Sequence, residues 1–169
     1  GATGSIGEST FDLLMRQGGP SAYRTIALSG GRNVARLAEQ ARALNAEIAI
    51  TAFDDCLPAL RDALAGSGVE AAAGAGALLE AADRPADWVM SGIVGAAGIA
   101  PGFRALANGG TLALANKESL VAAGALLMST AARHGARILP VDSEHSAVFQ
   151  SLLGEDIATV ERVIITASG

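Results

Sequence analysis

Two carboxylates and a hydroxyl stand together after an apolar run, in Leu139-Pro140-Val141-Asp142-Ser143-Glu144-His145-Ser146. Arg137–Val141 reads as a buried strand, and ligands of open α/β sheets bind beyond the carboxyl ends of strands. In extended backbone, side chains two residues apart leave the same face. Asp142 and Glu144 then repel each other, with no Lys or Arg in the run to balance them. A hard divalent cation, Mg²⁺ or Mn²⁺, would relieve that repulsion. The competing reading is structural: Asp142 caps a helix and Glu144 sits in its first turn, where negative charge favours the dipole. Taken alone, the octapeptide favours the structural reading.

A second charged group poses a sharper question. Asn116-Lys117-Glu118-Ser119 follows the apolar segment Thr111–Ala115 and opens a long helix that runs to about His134. Asn116 can cap that helix, and Glu118 suits its first turn. Lys117 does not suit it, because a cation at a helix N-terminus opposes the dipole. An anionic substrate or cofactor would account for it. His134, at the other end, fits the dipole and needs no further role.

The third feature is Gly1-Ala2-Thr3-Gly4-Ser5-Ile6-Gly7, with glycine at every third position. The first glycine allows a tight turn, the second lets backbone approach a pyrophosphate, and the third lets a helix pack closely. Ser5 to Gln17 reads as that helix, its N-terminal amides free for phosphate. Beyond the next strand, Ser29-Gly30-Gly31-Arg32-Asn33 occupies the place where a dinucleotide fold reads the ribose, ~20 residues or slightly more past the glycine turn. No Asp or Glu is present there for a 2′-hydroxyl; Arg32 favours a 2′-phosphate, hence NADP over NAD. Arg32 as a solvated charge and Asn33 as a helix cap are the structural alternatives.

Positioning these groups requires alternating strands and helices. Strands are expected at Tyr23–Leu28, Glu47–Thr51, Val69–Ala73, Trp88–Ser91, Thr111–Ala115, Arg137–Val141 and Val160–Thr166. Helices are expected at Ser5–Gln17, Asn33–Leu44, Asp54–Leu64, Ala75–Ala82, Gly102–Asn108, Asn116–His134 and Ser146–Leu152. The glycine-rich run Gly92–Gly98 reads as a tight strand-to-helix turn that could also lie close to a nicotinamide. This alternation predicts an α/β, Rossmann-like doubly wound parallel sheet.

Composition agrees. Half of the 169 residues are apolar, enough for a substantial core, and aromatics are scarce. No apolar run reaches the ~20 residues of a membrane span. The net charge of −5 and the lack of a Lys/Arg cluster argue against a nucleic-acid surface. Cys56 is the only cysteine, so no internal disulfide forms; it reads as a small core residue in a helix. A reducing, cytoplasmic setting follows. A phosphate loop needs a strand to aim it, so further residues are expected before Gly1 and after Gly169.

Read together, GATGSIG (Gly1–Gly7), LANKESLV (Leu114–Val121) and LPVDSEHSAVFQ (Leu139–Gln150) resemble, in order and spacing, the 1-deoxy-D-xylulose 5-phosphate reductoisomerase family. The resemblance covers essentially the whole chain, and its second and third motifs are specific. It implies NADPH- and metal-dependent conversion of 1-deoxy-D-xylulose 5-phosphate to 2-C-methyl-D-erythritol 4-phosphate, in isoprenoid precursor synthesis. It implies that Thr3, Gly4, Ser5 and Ile6 bind the NADPH phosphates, and that Gly31, Arg32 and Asn33 hold the 2′-phosphate end. Asn116 and Glu118 would also touch NADPH, and Lys117 the substrate. Asp142 and Glu144 would ligate Mg²⁺ or Mn²⁺, Glu144 and Ser143 would meet the substrate, and Ser168 would bind its phosphate. Lys117, Asp142 and Glu144 form the implied catalytic set. The cofactor domain would span 1–141, and 142–169 would open an α+β catalytic domain. The family's third metal carboxylate, lid and substrate-binding His would lie past Gly169, so this piece is expected to be inactive alone. A homodimer is implied for the full-length protein.

Two rivals remain at this level. One is an unrelated NADP-dependent dehydrogenase in which Asp142 and Glu144 merely cap a helix. The other is a non-catalytic nucleotide-binding module, which has no need of Lys117 or the paired acids.

Overall fold

Short apolar segments become parallel strands, and the polar-faced segments between them fold back as helices. The computed structural model describes residues 1–165. Strands β1 (Ala27–Gly30), β2 (Ile48–Thr51) and β3 (Glu70–Ala73) form one parallel sheet in the order β1-β2-β3. Strands β4 (Trp88–Ser91), β5 (Thr111–Leu114) and β6 (Arg137–Pro140) form a second, in the order β4-β5-β6. The helices are α1 (Ser5–Arg16), α2 (Val34–Ala43), α3 (Leu57–Leu64), α4 (Gly74–Asp83), α5 (Ile99–Ala107), α6 (Lys117–His134) and α7 (Ser143–Ser151).

The central strands show why helices cover both faces. Successive side chains of a strand point to opposite sides. Ala49 of β2 packs with Leu37, Ala38 and Ala41 of α2 and Leu60 and Leu64 of α3. Its neighbours Ile48 and Ile50 turn the other way, onto Ala81 of α4. In the second sheet, Leu112 and Leu114 of β5 pack with Ala105 and Leu106 of α5 and Leu127 and Ala131 of α6. A strand buried on both faces reads as a continuous apolar run, which is why these segments were legible as strands.

No strand pairs β1 with β4 among the described residues. The glycine turn touches the carboxyl ends of both strands. The Ala2 amide donates to the Ser29 carbonyl at 2.6 Å, and the space a side chain on Gly1 would need is filled by the carbonyl of Gly92.

Four expectations are corrected. The strand expected at Tyr23–Leu28 begins at Ala27. The carbonyls of Thr25 and Ile26 do accept from Glu47 and Ile48, so the pairing starts earlier than the regular strand. Asp54–Cys56 is a separate 3-10 turn before α3, and Cys56 is half-buried there rather than in a helix core. Residues 160–165 form no strand among the described residues, and Thr166 lies outside them. The helix expected from Ser146 begins at Ser143.

Candidate active site along the carboxyl rim

Parallel strands end on the same side, so every loop after a strand opens onto one rim. From one end of the rim to the other, the order is residues 52–55 after β2, 31–33 after β1, the glycine turn, 92–98 after β4, 116–118 after β5 and 142–144 after β6. The groups singled out in sequence thus converge on one edge, with the glycine turn near its middle. At a strand spacing of ~4.8 Å, the end of β6 lies on the order of 10 Å beyond that of β4.

At the centre, Gly4 caps α1 without a side-chain bond. The Glu8 amide already bonds the Gly4 carbonyl at 2.8 Å, which leaves the first-turn amides of Ser5, Ile6 and Gly7 open at a positive dipole end. A Cβ on Gly7 would run into the carbonyl oxygens of Ala2 and Gly1, so the turn closes only with glycine there. Thr3 is half-buried, Gly4 and Ser5 are exposed, and Ile6 lies against Gly92. These open amides fit a pyrophosphate. Arg36 of α2 clamps α1 in place: its Nε and Nη2 donate to the two Glu8 oxygens at 2.9 and 2.6 Å. The Arg36 bond holds the Glu8 carboxyl below its usual range.

On one flank, Arg32 is exposed and donates to Asp55 at 2.7 Å while sitting 4.1 Å from the centre of the Phe53 ring. The bond to Asp55 raises the Arg32 pKa and lowers that of Asp55. Asn33 caps α2, its Oδ1 accepting from the Arg36 amide at 3.3 Å. Gly31 is half-buried beside Phe53. Neither Phe53 nor Asp55 was found in sequence, because residues 23 apart meet here only through the pairing of β1 with β2.

On the other flank, Asn116 is buried and caps α6, Lys117 is exposed, and Glu118 is half-buried in the first turn. Lys117 has no acidic partner among the described residues. The helix is interrupted at Ala123 (φ −146°, ψ 26°), beside Gly124, so the turn that carries Lys117 is set apart from the body of α6. His134 is exposed at the helix C-terminus.

The acidic run follows the helix-capping reading that the octapeptide alone favoured, not the extended one. Backbone turns helical at Ser143, so Asp142 is the N-cap of α7 and Glu144 lies in its first turn. Asp142 is nearly buried, its side chain 10% exposed, whereas Ser143 and Glu144 are exposed. Its Oδ2 accepts from the His145 amide at 3.3 Å and lies 2.6 Å from His145 Nδ1. Burial pushes the Asp142 pKa upward, but the bonds from His145 outweigh it and hold the carboxyl below its usual range. Oδ1 and the Glu144 carboxylate make no hydrogen bond or ion pair among the described residues. These are hard oxygen donors that fit a divalent cation, and no group of three His, Cys, Asp or Glu side chains arranged to hold a metal is found among the described residues. Ser168 lies outside the described residues.

Parallel strands flanked by helices, with an open helix terminus after the glycine turn and the charged groups on one rim, define a Rossmann-like α/β protein. Its motifs and its fold agree on one family. The chain belongs to the 1-deoxy-D-xylulose 5-phosphate reductoisomerase family: residues 1–124 match that family's model, and residues 138–169 match the model of its C-terminal domain. It is 76% identical over all 169 residues to the reductoisomerase of Cereibacter sphaeroides, and covers 43% of that protein. It is 72% identical to that of Jannaschia sp., again over the whole chain and 42% of the relative. Among solved structures, it superposes on the Zymomonas mobilis reductoisomerase in complex with NADPH with a TM-score of 0.85 and 53% identity, over 89% of this chain and 39% of the other. A DOX-P reductoisomerase in complex with NADPH, fosmidomycin and magnesium gives 0.81 and 40%, over 92% and 39%. The chain therefore spans less than half the length of these relatives. No helix among the described residues is long and apolar enough to cross a membrane.

Proposed function

We propose that this chain is the NADPH-binding part, with the opening of the metal and substrate part, of an enzyme that converts 1-deoxy-D-xylulose 5-phosphate to 2-C-methyl-D-erythritol 4-phosphate. The observation that carries the reading is the rim order: Arg32, the glycine turn, Lys117 and then Asp142 with Glu144 follow one another along the carboxyl ends of the parallel strands. That order suits an extended dinucleotide reaching from a 2′-phosphate toward a cation seat.

The amides of Ser5 and Ile6, with Thr3 and Gly4, would take the pyrophosphate, and Gly31, Arg32 and Asn33 the 2′-phosphate. Glu118 would lie along the cofactor. Asp142 Oδ1 and Glu144 would hold Mg²⁺ or Mn²⁺. Lys117 and Ser143 would bind and orient the phosphosugar, and Ser168 its phosphate. When bound, NADPH supplies the hydride and the cation supplies Lewis acidity at the substrate's carbonyl and neighbouring hydroxyl. Asp142 is kept ionised for this by His145, and Lys117 adds positive charge beside the anionic substrate.

Residues 1–141 form the cofactor domain in this proposal, and 142–169 open the catalytic one. Two carboxylates make a weak cation site, so this stretch is inactive by itself, and the full-length enzyme works in the cytoplasm as a homodimer. The relatives in complex with NADPH and magnesium support the cofactor pair. The test is turnover of 1-deoxy-D-xylulose 5-phosphate by the full-length enzyme with NADPH, with and without Mn²⁺. Metal-independent turnover would favour a plain NADP-dependent dehydrogenase, and NADPH binding without turnover a nucleotide-binding module.

A further inference from the structure

We propose that Asn116 is a positioning residue, whose carboxamide ties the loop after β4 to the start of α6 and so sets the spacing between the glycine turn and Lys117. The side chain is only 2% exposed. Its Nδ2 donates to the carbonyls of Ile93 and of Gly95, the latter at 2.8 Å. Its Oδ1 accepts from the amide and the hydroxyl of Ser119, at 2.8 and 2.7 Å. A carboxamide has two donor hydrogens and two acceptor lone pairs, and all four are engaged within the protein. Nothing remains for a cofactor, so the direct NADPH contact that the family resemblance implies does not come from this side chain.

What the clamp holds lies against the glycine turn. Its loop closes at Gly98, where a Cβ would stand 2.5 Å from Asn116 Nδ2 and 2.6 Å from the Ile93 carbonyl. At the loop's other end, the Gly92 carbonyl fills the side-chain space of Gly1, and Ile6 packs on Gly92. Contact is therefore continuous from α6, through residues 92–98, to the first turn of α1. Lys117 is the next residue along α6, so movement of the loop would change its distance from a bound cofactor. That functional consequence rests on reading the glycine turn as the NADPH site; the clamp itself does not.

The test uses the full-length enzyme with Asn116→Ser and Asn116→Asp. Serine still caps α6 but leaves the carbonyls of Ile93 and Gly95 unpaired. Aspartate keeps the shape and the cap but turns a carboxylate oxygen toward those carbonyls. In both variants, amides of residues 92–98 should exchange with deuterated water faster by roughly tenfold or more, the scale of a lost buried hydrogen bond. The early amides of α6 should keep their protection. The KM for NADPH should rise by a similar factor, and kcat at saturation should fall less. A higher KM with loop exchange unchanged would make Asn116 a direct cofactor contact and overturn the proposal. A loosened loop with KM unchanged would also overturn it, by breaking the link to the cofactor. If the unaltered enzyme failed to bind NADPH, the cofactor reading would fall, and the exchange measurement would still decide the clamp.

Discussion

Arg32 and Asp55, 23 residues apart in sequence, form an exposed ion pair at 2.7 Å on the flank of the glycine turn, with Phe53 beneath the guanidinium. The cation proposed for the 2′-phosphate is thus already shared with a carboxylate. Arg32→Ala is expected to weaken NADPH binding roughly tenfold or more while leaving NADH binding unchanged, since only the phosphate makes a charge-assisted bond there. Asp55→Asn should tighten NADPH binding, roughly two- to fivefold at low salt, by removing a competing anion from an exposed, screened site. Titration of both cofactors at two salt concentrations checks this; equal effects on NADH and NADPH would detach Arg32 from the 2′-phosphate.

Asp142 caps α7, and one substitution separates that role from the cation binding proposed for it. Asparagine caps a helix about as well as aspartate but is a poorer ligand for a hard cation. Asp142→Asn in the full-length enzyme should therefore leave the circular dichroism spectrum unchanged and weaken Mn²⁺ binding by about tenfold or more. Unaltered Mn²⁺ affinity in calorimetry would leave Asp142 as a cap only.

Lys117 should show opposed effects on stability and activity. Its charge opposes the dipole of α6, so Lys117→Gln should stabilise the fold by about 0.3–1 kcal/mol. The same change should raise the KM for the phosphosugar and leave NADPH affinity within about twofold, because the loss is confined to substrate charge. Thermal unfolding alongside steady-state kinetics tests both; a variant that is neither more stable nor less active would mean Lys117 is idle.

The clamp between Glu8 and Arg36 carries a pH signature. The Arg36 bond depresses the Glu8 pKa in the folded chain. Its contribution is therefore present above the unfolded carboxyl value, ~4.3, and is lost as pH falls through the lower folded value. Glu8→Gln should lower Tm by about 1–3 °C at pH 7, a small effect because the pair is still partly solvated. The difference from the unaltered protein should shrink as the pH drops below 4.3. A constant difference across that range would mean that the carboxylate's charge is not what holds α1 to α2.

Trp88–Ser91 was legible to the residue as β4, because a short apolar run bounded by Pro85 and Gly92 has one sensible conformation. Asn33 and Asn116 were legible as caps for the same local reason. The start of α7 was legible only in part: Asp142 was read as a cap, but the helix was expected from Ser146. An apolar strand followed by two acids supports either continued extension or an immediate helix, and the choice fell to Asp142, whose carboxylate grips His145. In the strand expected at Val160–Thr166, residues 160–165 pair with neither sheet among the described residues; β-branched residues favour extension, but a strand also needs a partner.

Spacing along the chain determined the elements, the parallel order they favour and the chemical kind of each rim group, because caps, turns and periodicity act within a few residues. Tertiary structure alone decided that Asp55 shares Arg32 and that Asn116 Nδ2 gives both of its hydrogen bonds to a loop more than twenty residues away. Those outcomes depend on which distant backbones become neighbours once the sheets form. No local preference encodes such neighbours, because the same side chains would be solvated in any other arrangement.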